Sequence, residues 1–426
     1  MNETEEKKKP SLFFRWTVLF FISLAMFGNY YVYDSIAPVA DLLKNDLKFS
    51  DEDIGWLNSI YSFSAILVLL IGGIIIDKWG TKKSSVLFGS ICAIAGFITA
   101  ASSDYNYMLA GRFLLGIGSE PLIVAITAAI AKWFKGKELS FAMGINLLIA
   151  RSGSVSADNS PTFISGLYEG GWQGPLFFAA FIGLLSLVGV LVYFILESSG
   201  EKKYVLSEAG ETDKLKIKDL FSFSKSFWYI TLLCVTFYSA VFPFRTFAIK
   251  YFMEAHNLTR EAAGGLNSIL PLSAMIATPV IGLLVDFIGK RALLMMIGSV
   301  LLLPVYLLMG YTGLSLFVII AIMGLSFSLI PAVMWPSVAY IVEEKRLGSA
   351  YALMTLIQQV GVMLFNWIIG LSNDLNSAGA ENPLGYNMGL WIFSVLGFLG
   401  FFFSYKLRKV ETSPEGHGLE KGMKQI

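Results

Sequence analysis

Two side chains of opposite charge interrupt apolar stretches of the sequence. Glu120 stands in GIGSEPLIVA, within a mainly apolar run from Met108 to Ala131, and Arg151 follows in LLIARSGS. A carboxylate at the centre of a bilayer costs at least about 2.5 kcal/mol, so such residues tend to mark substrate or ion pathways. Facing one cavity, the two groups would suit a zwitterion, with Glu120 for an ammonium group and Arg151 for a carboxylate held by two hydrogen bonds.

The depth of Glu120 and Arg151 allows them to meet near the membrane midplane. They lie on consecutive antiparallel spans, and at about 1.5 Å per residue both stand roughly 16–20 Å above the cytoplasmic ends of their helices. A buried ion pair that only ties the two helices together is the alternative interpretation. Because such a pair adds little net stability compared with apolar packing, its retention favours a binding role, but both interpretations stay open.

Other polar side chains inside the spans are further candidates for the same cavity. On the first span, Asn29 and Tyr33 are one helical turn apart, and so are Tyr30 and Asp34. The second half of the chain offers Trp335, Gln358, Gln359 and Asn366. Hydrogen bonding between helices is the commoner use of amide side chains, and a tryptophan can stack on a substrate or only pack.

Three more charged residues have simpler expected roles. Arg112 sits just inside the outer end of its span, where a structural role is favoured over substrate binding. Asp34 and Arg245 lie in the outer thirds of their spans, where snorkelling or an ion pair at an outer gate explains them. Asp158 shares one helix face with Arg151 and Ser154.

The elements that hold these residues are predicted to be membrane helices. The chain has 426 residues, of which 55% are hydrophobic and only 15% charged. Apolar stretches of about 20 residues recur, which predicts an all-α integral membrane protein with about twelve spans. The spans are expected near residues 16–40, 53–76, 84–102, 106–131, 138–165, 173–196, 226–252, 261–285, 291–309, 313–340, 347–371 and 386–405.

A long polar linker divides the chain into two halves of six spans. The predicted organisation is a tail at 1–15, a bundle at 16–196, a linker at 197–225, a bundle at 226–405 and a tail at 406–426. With the N-terminus inside, the segments on that side hold about 25 of the 32 Lys and Arg residues, which predicts that both termini are cytoplasmic.

One short motif occurs in both halves, directly after the second span of each. The first copy is GIIIDKWGTK and the second is GLLVDFIGKR. A single copy is most simply a tight turn with a helix-ending glycine, but two copies at equivalent positions indicate a parallel repeat, the architecture of a secondary transporter with its site between the halves. The matching residues are Gly73, Asp77, Gly80 and Lys82 in the first copy and Gly282, Asp286, Gly289 and Arg291 in the second.

On this motif and its repetition, the chain resembles the major facilitator superfamily, whose loop between the second and third helices carries this pattern. The resemblance implies two six-helix bundles related by a pseudo-two-fold repeat. It also implies gating by these loops, because an Asp at a helix end can accept hydrogen bonds from the loop cation and from a helix N-terminus of the other half.

A closer resemblance extends through both halves. The stretches GRFLLGIGSEPLIVA, AKWFKGKELSFAMGINLLIARSGS, YSAVFPF and GLSFSLIPAVMWPSVAYIVEEKRLGSAYALM are similar to the lysosomal dipeptide transporter branch of that superfamily. In that branch a Glu on the fourth helix and an Arg on the fifth hold the two ends of a dipeptide, and they correspond here to Glu120 and Arg151. The resemblance implies facilitated dipeptide transport by alternating access, without evident ion coupling.

The expected location follows from what the sequence lacks relative to that branch. No acidic dileucine sorting signal is found near the N-terminus, so a plasma (inner) membrane protein of a prokaryotic relative is expected, with the lysosomal membrane as the alternative. The expected partners are a dipeptide substrate and the lipid bilayer, with no nucleic acid. A monomer is expected, and the sequence does not indicate an accessory subunit.

Enzymatic function is not expected. The sequence has no Walker-type phosphate loop, and its two histidines, His256 and His417, provide no metal-spaced set and no hydrolytic triad. No cofactor or metal is therefore predicted. Two alternatives to dipeptide transport stay open: a transporter of another small organic anion or zwitterion, with or without proton coupling, and a transporter-like sensor or scaffold that moves nothing.

Overall fold

The computed structural model describes residues 10–134, 138–204 and 222–421, and this part of the chain is nearly all helical. The predicted all-α fold is confirmed. Residues 1–9 of the predicted N-terminal tail, 205–221 of the linker and 422–426 of the C-terminal tail lie outside the described residues. The helices are α1 Leu12–Asp34, α2 Ala40–Leu47, α3 Asp51–Ala101, α4 Tyr105–Phe134, α5 Leu139–Asp158, α6 Ser160–Phe163, α7 Ser165–Glu169, α8 Gln173–Lys203, α9 Lys225–His256, α10 Arg260–Ile288, α11 Arg291–Leu302, α12 Val305–Tyr311, α13 Leu316–Ile341, α14 Leu347–Leu375 and α15 Asn387–Glu411.

Within the described residues, ten helical segments are long and apolar enough to cross a membrane. The chain is therefore a multi-pass membrane protein, as its composition predicted. Two predicted spans are not among the ten. The span predicted at 53–76 lies within α3 and includes residue 70, whose side chain is outside the described part of the structure. The span predicted at 138–165 contains α5, which carries Arg151 and Asp158 together with several serines.

Hydroxyl side chains begin several of the long helices. The Oγ of Ser11 accepts a hydrogen bond from the backbone N–H of Phe14 at the start of α1. Ser224 and Thr259 act in the same way at the starts of α9 and α10. Each cap satisfies one of the four N–H groups that a helix start leaves without an intrahelical partner.

The second glycine of the repeated motif has a positive φ in both halves. Gly80 interrupts α3 with φ 74°, and Gly289 ends α10 with φ 69°. Residues with a Cβ rarely adopt this left-handed region, so both turns favour glycine. The two motif copies therefore form equivalent turns between consecutive helices.

The chain divides into two compact units. Unit 1 comprises Met1–Ser35, Ser64–Ala157 and Gln173–Glu211, and unit 2 comprises Ile36–Phe63, Asp158–Trp172 and Thr212–Ile426. Unit 2 thus contains two segments from the first half of the sequence as well as the whole second half. The bundle limits predicted from the spans follow chain order instead, and those limits remain a prediction.

Candidate substrate-binding and gating residues

Glu120 is placed by the packing of α4 against α3 in unit 1. A Cβ on Gly118 would come within 2.8 Å of the Cys92 Sγ and 2.9 Å of the Phe88 carbonyl oxygen, so the two helices touch closely at that point. Two residues further along α4 the side-chain direction has turned by about 200°. Glu120 therefore lies on a different side of α4 from Gly118, and its side chain is half-buried.

Arg151 of α5 lies over an aromatic ring of α1. Its guanidinium carbon is 5.2 Å from the centre of the Tyr30 ring, a distance suited to a cation–π interaction. The close approach of the helices depends on Gly153, where a Cβ would be 2.3 Å from the Phe27 carbonyl oxygen. Arg151 is half-buried, which leaves part of its side chain accessible.

Tyr30 is also the point where several charges converge. Arg151, Glu120 and Asp34 all act electrostatically on its hydroxyl group. We call Tyr30, Asp34, Glu120 and Arg151 the Tyr30 cluster. It combines two carboxylates, one guanidinium and one phenol from α1, α4 and α5, and all four residues belong to unit 1.

The other candidates on α1 have partners in helix packing. Asn29 is buried, and its Nδ2 donates a hydrogen bond of 2.7 Å to the Oγ of Ser119 on α4. Arg112 lies over the Tyr33 ring and donates to the carbonyl oxygens of Val32 and Tyr33. Arg112 is 1% exposed, which agrees with the structural role expected for it.

Trp335 belongs to an aromatic group in unit 2. Its Nε1 donates a 3.1 Å hydrogen bond to the hydroxyl of Tyr238, and its carbonyl oxygen accepts one from the hydroxyl of Tyr351. The rings of Trp335 and Tyr351 are 6.0 Å apart. These bonds orient the half-buried indole ring by polar contacts as well as by packing.

The amide candidates on α14 are buried in unit 2. The Oδ1 of Asn366 accepts a 2.8 Å hydrogen bond from the Thr246 hydroxyl of α9, and its Nδ2 donates to the Val362 carbonyl oxygen. Asn366 is 1% exposed and Gln359 7%. For Asn366 this is hydrogen bonding between helices, the commoner use that the sequence left open.

The first motif copy is tied to α8 within unit 1. The Lys82 ammonium group forms a 2.5 Å ion pair with Glu201, and the Thr81 hydroxyl is 2.9 Å from the Tyr193 hydroxyl. Glu201 also pairs with Lys132 of α4 at 3.1 Å. Asp77 is exposed, and a Cβ at Gly73 would meet open space among the described residues beyond its own helical turn.

The second motif copy is held differently. Arg291 is 4% exposed, its guanidinium carbon is 4.5 Å from the centre of the Tyr340 ring, and its NH2 group donates to the Tyr340 hydroxyl at 3.0 Å. Gly282 has open space around the position of a Cβ. The backbone of Asp286 lies within α10, whereas its side chain is outside the described part of the structure.

Asp158 and Arg245 form a buried ion pair in unit 2. The Asp158 Oδ2 is 2.8 Å from the Arg245 NH2, and the Asp158 Oδ1 accepts a 2.8 Å hydrogen bond from Asn267. Of the two roles expected for Arg245, the structure therefore shows an ion pair, with Asp158 as its acidic partner. This pair joins the end of α5, in the first half of the sequence, to α9 and α10 in the second.

A second buried charge cluster in unit 2 is not evident from spacing. Lys250, inside the span predicted at 226–252, has no exposed surface and contacts Asp51 at 2.9 Å, Glu254 at 3.2 Å and the Tyr386 hydroxyl at 2.8 Å. Lys44 pairs with the other oxygen of Asp51 at 3.0 Å. The signal that could have revealed Lys250 is a lysine inside a long apolar helix, since a buried charge requires a partner.

Metal-binding and thiol chemistry find little support in the described residues. No group of three or more His, Cys, Asp or Glu side chains in these residues is arranged to hold a metal ion. Cys92 and Cys234 are free and buried.

Comparison with known proteins relates this chain to membrane transporters. The family model described as Major Facilitator Superfamily matches residues 22–248 and 245–425. The lysosomal dipeptide transporter MFSD1 of Danio rerio is 31% identical over 88% of this chain and 86% of its own length. A probable sulfoacetate transporter, SauU of Cupriavidus necator, is 23% identical over 65% of this chain and 66% of its own length. The crystal structure of a bacterial homologue of the human lysosomal transporter Spinster aligns with a TM-score of 0.74 at 17% identity, covering 95% of this chain and 100% of that chain.

Proposed function

Because the chain belongs to the Major Facilitator Superfamily and is a membrane transporter rather than an enzyme, we propose that it moves dipeptides by alternating access, as a facilitated uniporter. The choice of substrate is supported by the 31% identity to a lysosomal dipeptide transporter over most of both chains. The Tyr30 cluster supports it independently, on chemical grounds.

The observation that carries the proposal is the contact of the Arg151 guanidinium with the Tyr30 ring, with Glu120 within electrostatic range of the same tyrosine. A dipeptide carries an ammonium group at one end and a carboxylate at the other. We assign the ammonium group to Glu120 and the carboxylate to Arg151, whose planar guanidinium can donate two parallel hydrogen bonds. The centre of the Tyr30 ring lies 5.2 Å from the Arg151 guanidinium carbon, and the tyrosine lies within electrostatic range of both charges.

The other residues predicted to contact the substrate differ in the roles that we propose for them. Asn29, Tyr33 and Asn366 already have partners in helix packing, so we assign them to shaping the site rather than to direct recognition. Trp335 is half-buried and oriented by Tyr238, which suits contact with an apolar substrate side chain. Gln359 remains a predicted contributor.

The repeated loops are proposed to gate the cytoplasmic side. The gating residues are Gly73, Asp77, Gly80, Lys82, Gly282, Asp286, Gly289 and Arg291. At the predicted outer side, the ion pairs Asp158–Arg245, Asp51–Lys250 and Asp41–Arg260 join first-half to second-half segments within unit 2. Alternating access would require these pairs to separate when the outer side opens.

The proposed location is the plasma membrane, with both termini in the cytoplasm. The distribution of Lys and Arg supports this orientation. The relatives named as dipeptide transporters are lysosomal by name, so the lysosomal membrane is the alternative.

Ligand binding by the purified protein tests the proposal directly. Thermal unfolding is recorded with dipeptides, single amino acids, tripeptides and end-blocked dipeptides, because a ligand at 100 times its Kd adds about 2.7 kcal/mol to the stability of the folded protein. We expect stabilisation by free dipeptides that disappears when either end is blocked. Glu120→Gln should weaken binding of peptides with a free amino end, and Arg151→Lys should weaken binding of those with a free carboxylate.

A transporter of small organic anions is the second candidate, favoured by the sulfoacetate transporter among the relatives. Arg151 would then bind the anion, and Glu120 would only balance its charge. In that case simple carboxylates or sulfonates stabilise the protein, dipeptides do not, and Glu120→Gln leaves binding unchanged or stronger. Ligand binding without counterflow in loaded vesicles would instead indicate a sensor.

A further inference from the structure

The segment that follows α15, the last long helix, packs against the rest of unit 2. Residues 412–421 fold back from the end of α15 towards the starts of α9 and α11, all within unit 2. Leu419 in this segment has no exposed surface. We call residues 412–421 the C-terminal strap.

The strap is anchored on one buried carboxylate. Glu411, the last residue of α15, is 5% exposed and accepts a 2.5 Å hydrogen bond from the hydroxyl of Ser226 in the first turn of α9. It also accepts from the backbone N–H groups of His417 and Leu419, and its Oε1 is 2.9 Å from the His417 Nδ1. The anchor therefore fixes the path of the strap and its position against α9.

The strap completes the start of α11, directly after the second motif glycine. Lys290 precedes this helix with φ 49° and provides no side-chain cap, since an ammonium group has no acceptor. The Leu419 carbonyl oxygen accepts a 2.8 Å hydrogen bond from the N–H of Arg291. The Glu420 Oε1 accepts a 3.1 Å bond from the N–H of Leu293. Two of the unpaired N–H groups of a helix start are thus satisfied, and a carboxylate meets the positive end of the helix dipole.

We propose that the C-terminal strap positions the second gating loop, with Leu419 and Glu420 as the positioning residues. The cations of the two motif copies make different contacts, so the two loops are positioned by different parts of the protein. Lys82 of the first copy is held by Glu201 of α8, whereas Arg291 of the second copy is stacked on Tyr340, and the helix start that follows Gly289 is capped by the strap. The inference rests on the proposed gating role of this loop, but it does not depend on which substrate is carried.

Hydrogen exchange of the full chain tests the contact. Glu420→Ala should raise the exchange rate of amides 291–294 by about tenfold, as expected for loss of one charge-assisted hydrogen bond. Glu420→Gln, which keeps an acceptor oxygen, should restore much of the protection. Glu415→Ala is the matched control, because Glu415 is an exposed acid in the same strap. Amides of the first loop at 81–85 should not change in any variant.

Transport separates positioning from simple capping. In counterflow of a dipeptide, Glu420→Ala should lower the maximal rate by about threefold or more, because the loop loses a charge-assisted hydrogen bond that positions it. The half-saturating concentration should stay within about twofold, because the substrate site is unchanged. If Glu420→Ala leaves hydrogen exchange of amides 291–294 unchanged, the proposed contact is wrong. If exchange is faster but the maximal rate of counterflow is unchanged, the proposed positioning role is wrong. If the wild type carries no dipeptide, the proposed function fails, whereas the exchange result still decides whether the strap holds the loop.

Discussion

At the scale of single residues, the charged side chains inside the apolar helices differ in how much of their surface stays accessible. Arg151 rests on the Tyr30 ring and stays half-buried, while Arg112 is sealed by two carbonyl oxygens and the Tyr33 ring. Both are arginines within predicted spans, but only the first keeps accessible surface. The difference supports Arg151 as the group that meets the substrate and Arg112 as a tie between α1 and α4.

The motif glycines allow a matched pair of substitutions. Gly80→Ala forces an L-residue into a φ of 74°, which should destabilise the protein by about 1–2 kcal/mol. Gly73→Ala lies in the regular part of α3 with open space around it, so it should be neutral or stabilise by up to about 1 kcal/mol. Thermal unfolding of the two variants in the same detergent measures the difference.

Equal effects of the two substitutions would contradict this account of Gly80. Gly289→Ala, at φ 69° in the second copy, should behave like Gly80→Ala. Gly282→Ala should behave like Gly73→Ala, since its surroundings are also open. The four variants together test whether the repeat exists at the level of backbone conformation.

At the scale of helices, the start of α3 is stabilised from two sources. Ser50 and Asp53 form a reciprocal capping box, in which each side chain accepts from the backbone N–H of the other. Asp374 of α14 accepts from the N–H groups of Asp51 and Glu52 at 3.0 and 2.7 Å. The second source comes from the other half of the sequence, so it also ties α3 to α14 in unit 2.

Removing this cap should open the contact between α3 and α14. Asp374→Ala loses a helix cap worth about 1–2 kcal/mol, which is about tenfold in an opening equilibrium. Ser59→Cys is a suitable reporter, because Ser59 is fully buried and its hydroxyl donates to the Met363 carbonyl oxygen of α14. An impermeant maleimide should label Ser59→Cys about tenfold faster in the Asp374→Ala background, with the buried Cys92 and Cys234 silent.

Asp104 provides the control for that experiment. It caps α4 by accepting from the N–H groups of Asn106 and Tyr107, entirely within unit 1. Asp104→Ala should lower stability by a similar amount and leave the labelling rate of Ser59→Cys unchanged. Equal acceleration by both variants would mean that general loss of stability, rather than release of α3 from α14, exposes the reporter.

Much of the helical framework was predictable because it follows from local patterns. Apolar length identified the membrane helices, and the spacing of Gly73, Asp77, Gly80 and Lys82 identified the turn that recurs at Gly289. The levels of Glu120 and Arg151 were estimated from the constant rise of a helix, and Tyr30 lies within electrostatic range of both charges.

What could not be predicted depends on partners distant in the chain. Asn366 is satisfied by Thr246, and a sequence does not distinguish such an amide from one that faces a substrate. Lys250 meets Asp51 across 199 residues, and no local pattern encodes that pairing. The strap is similar, because a polar tail gives no sign that Leu419 is buried or that Glu420 caps a helix.

At the scale of the whole molecule, the repeat makes a prediction about topology. Both gating loops should lie on the cytoplasmic side if the distribution of Lys and Arg sets the orientation. Single cysteines at the exposed positions Lys78 and Lys290 should react with an impermeant maleimide only in inside-out vesicles. A cysteine at the exposed Glu381, predicted to be outside, should react only in right-side-out cells. Labelling of Lys78→Cys and Lys290→Cys from opposite sides would refute the parallel repeat.

The composition of unit 2 has a consequence for how the protein is made. Asp51 leaves the ribosome 199 residues before Lys250 and 323 residues before Asp374, its helix-capping partner. At about 5–20 residues per second, Asp51 waits about 10–40 s for Lys250 to be synthesised. Until then, Asp51 has been synthesised but Lys250, its fully buried partner, has not. Of the two lysines that pair with Asp51, only Lys44 is present in the nascent first half, and the arrival of α9 completes a part of the protein that was begun near its N-terminus.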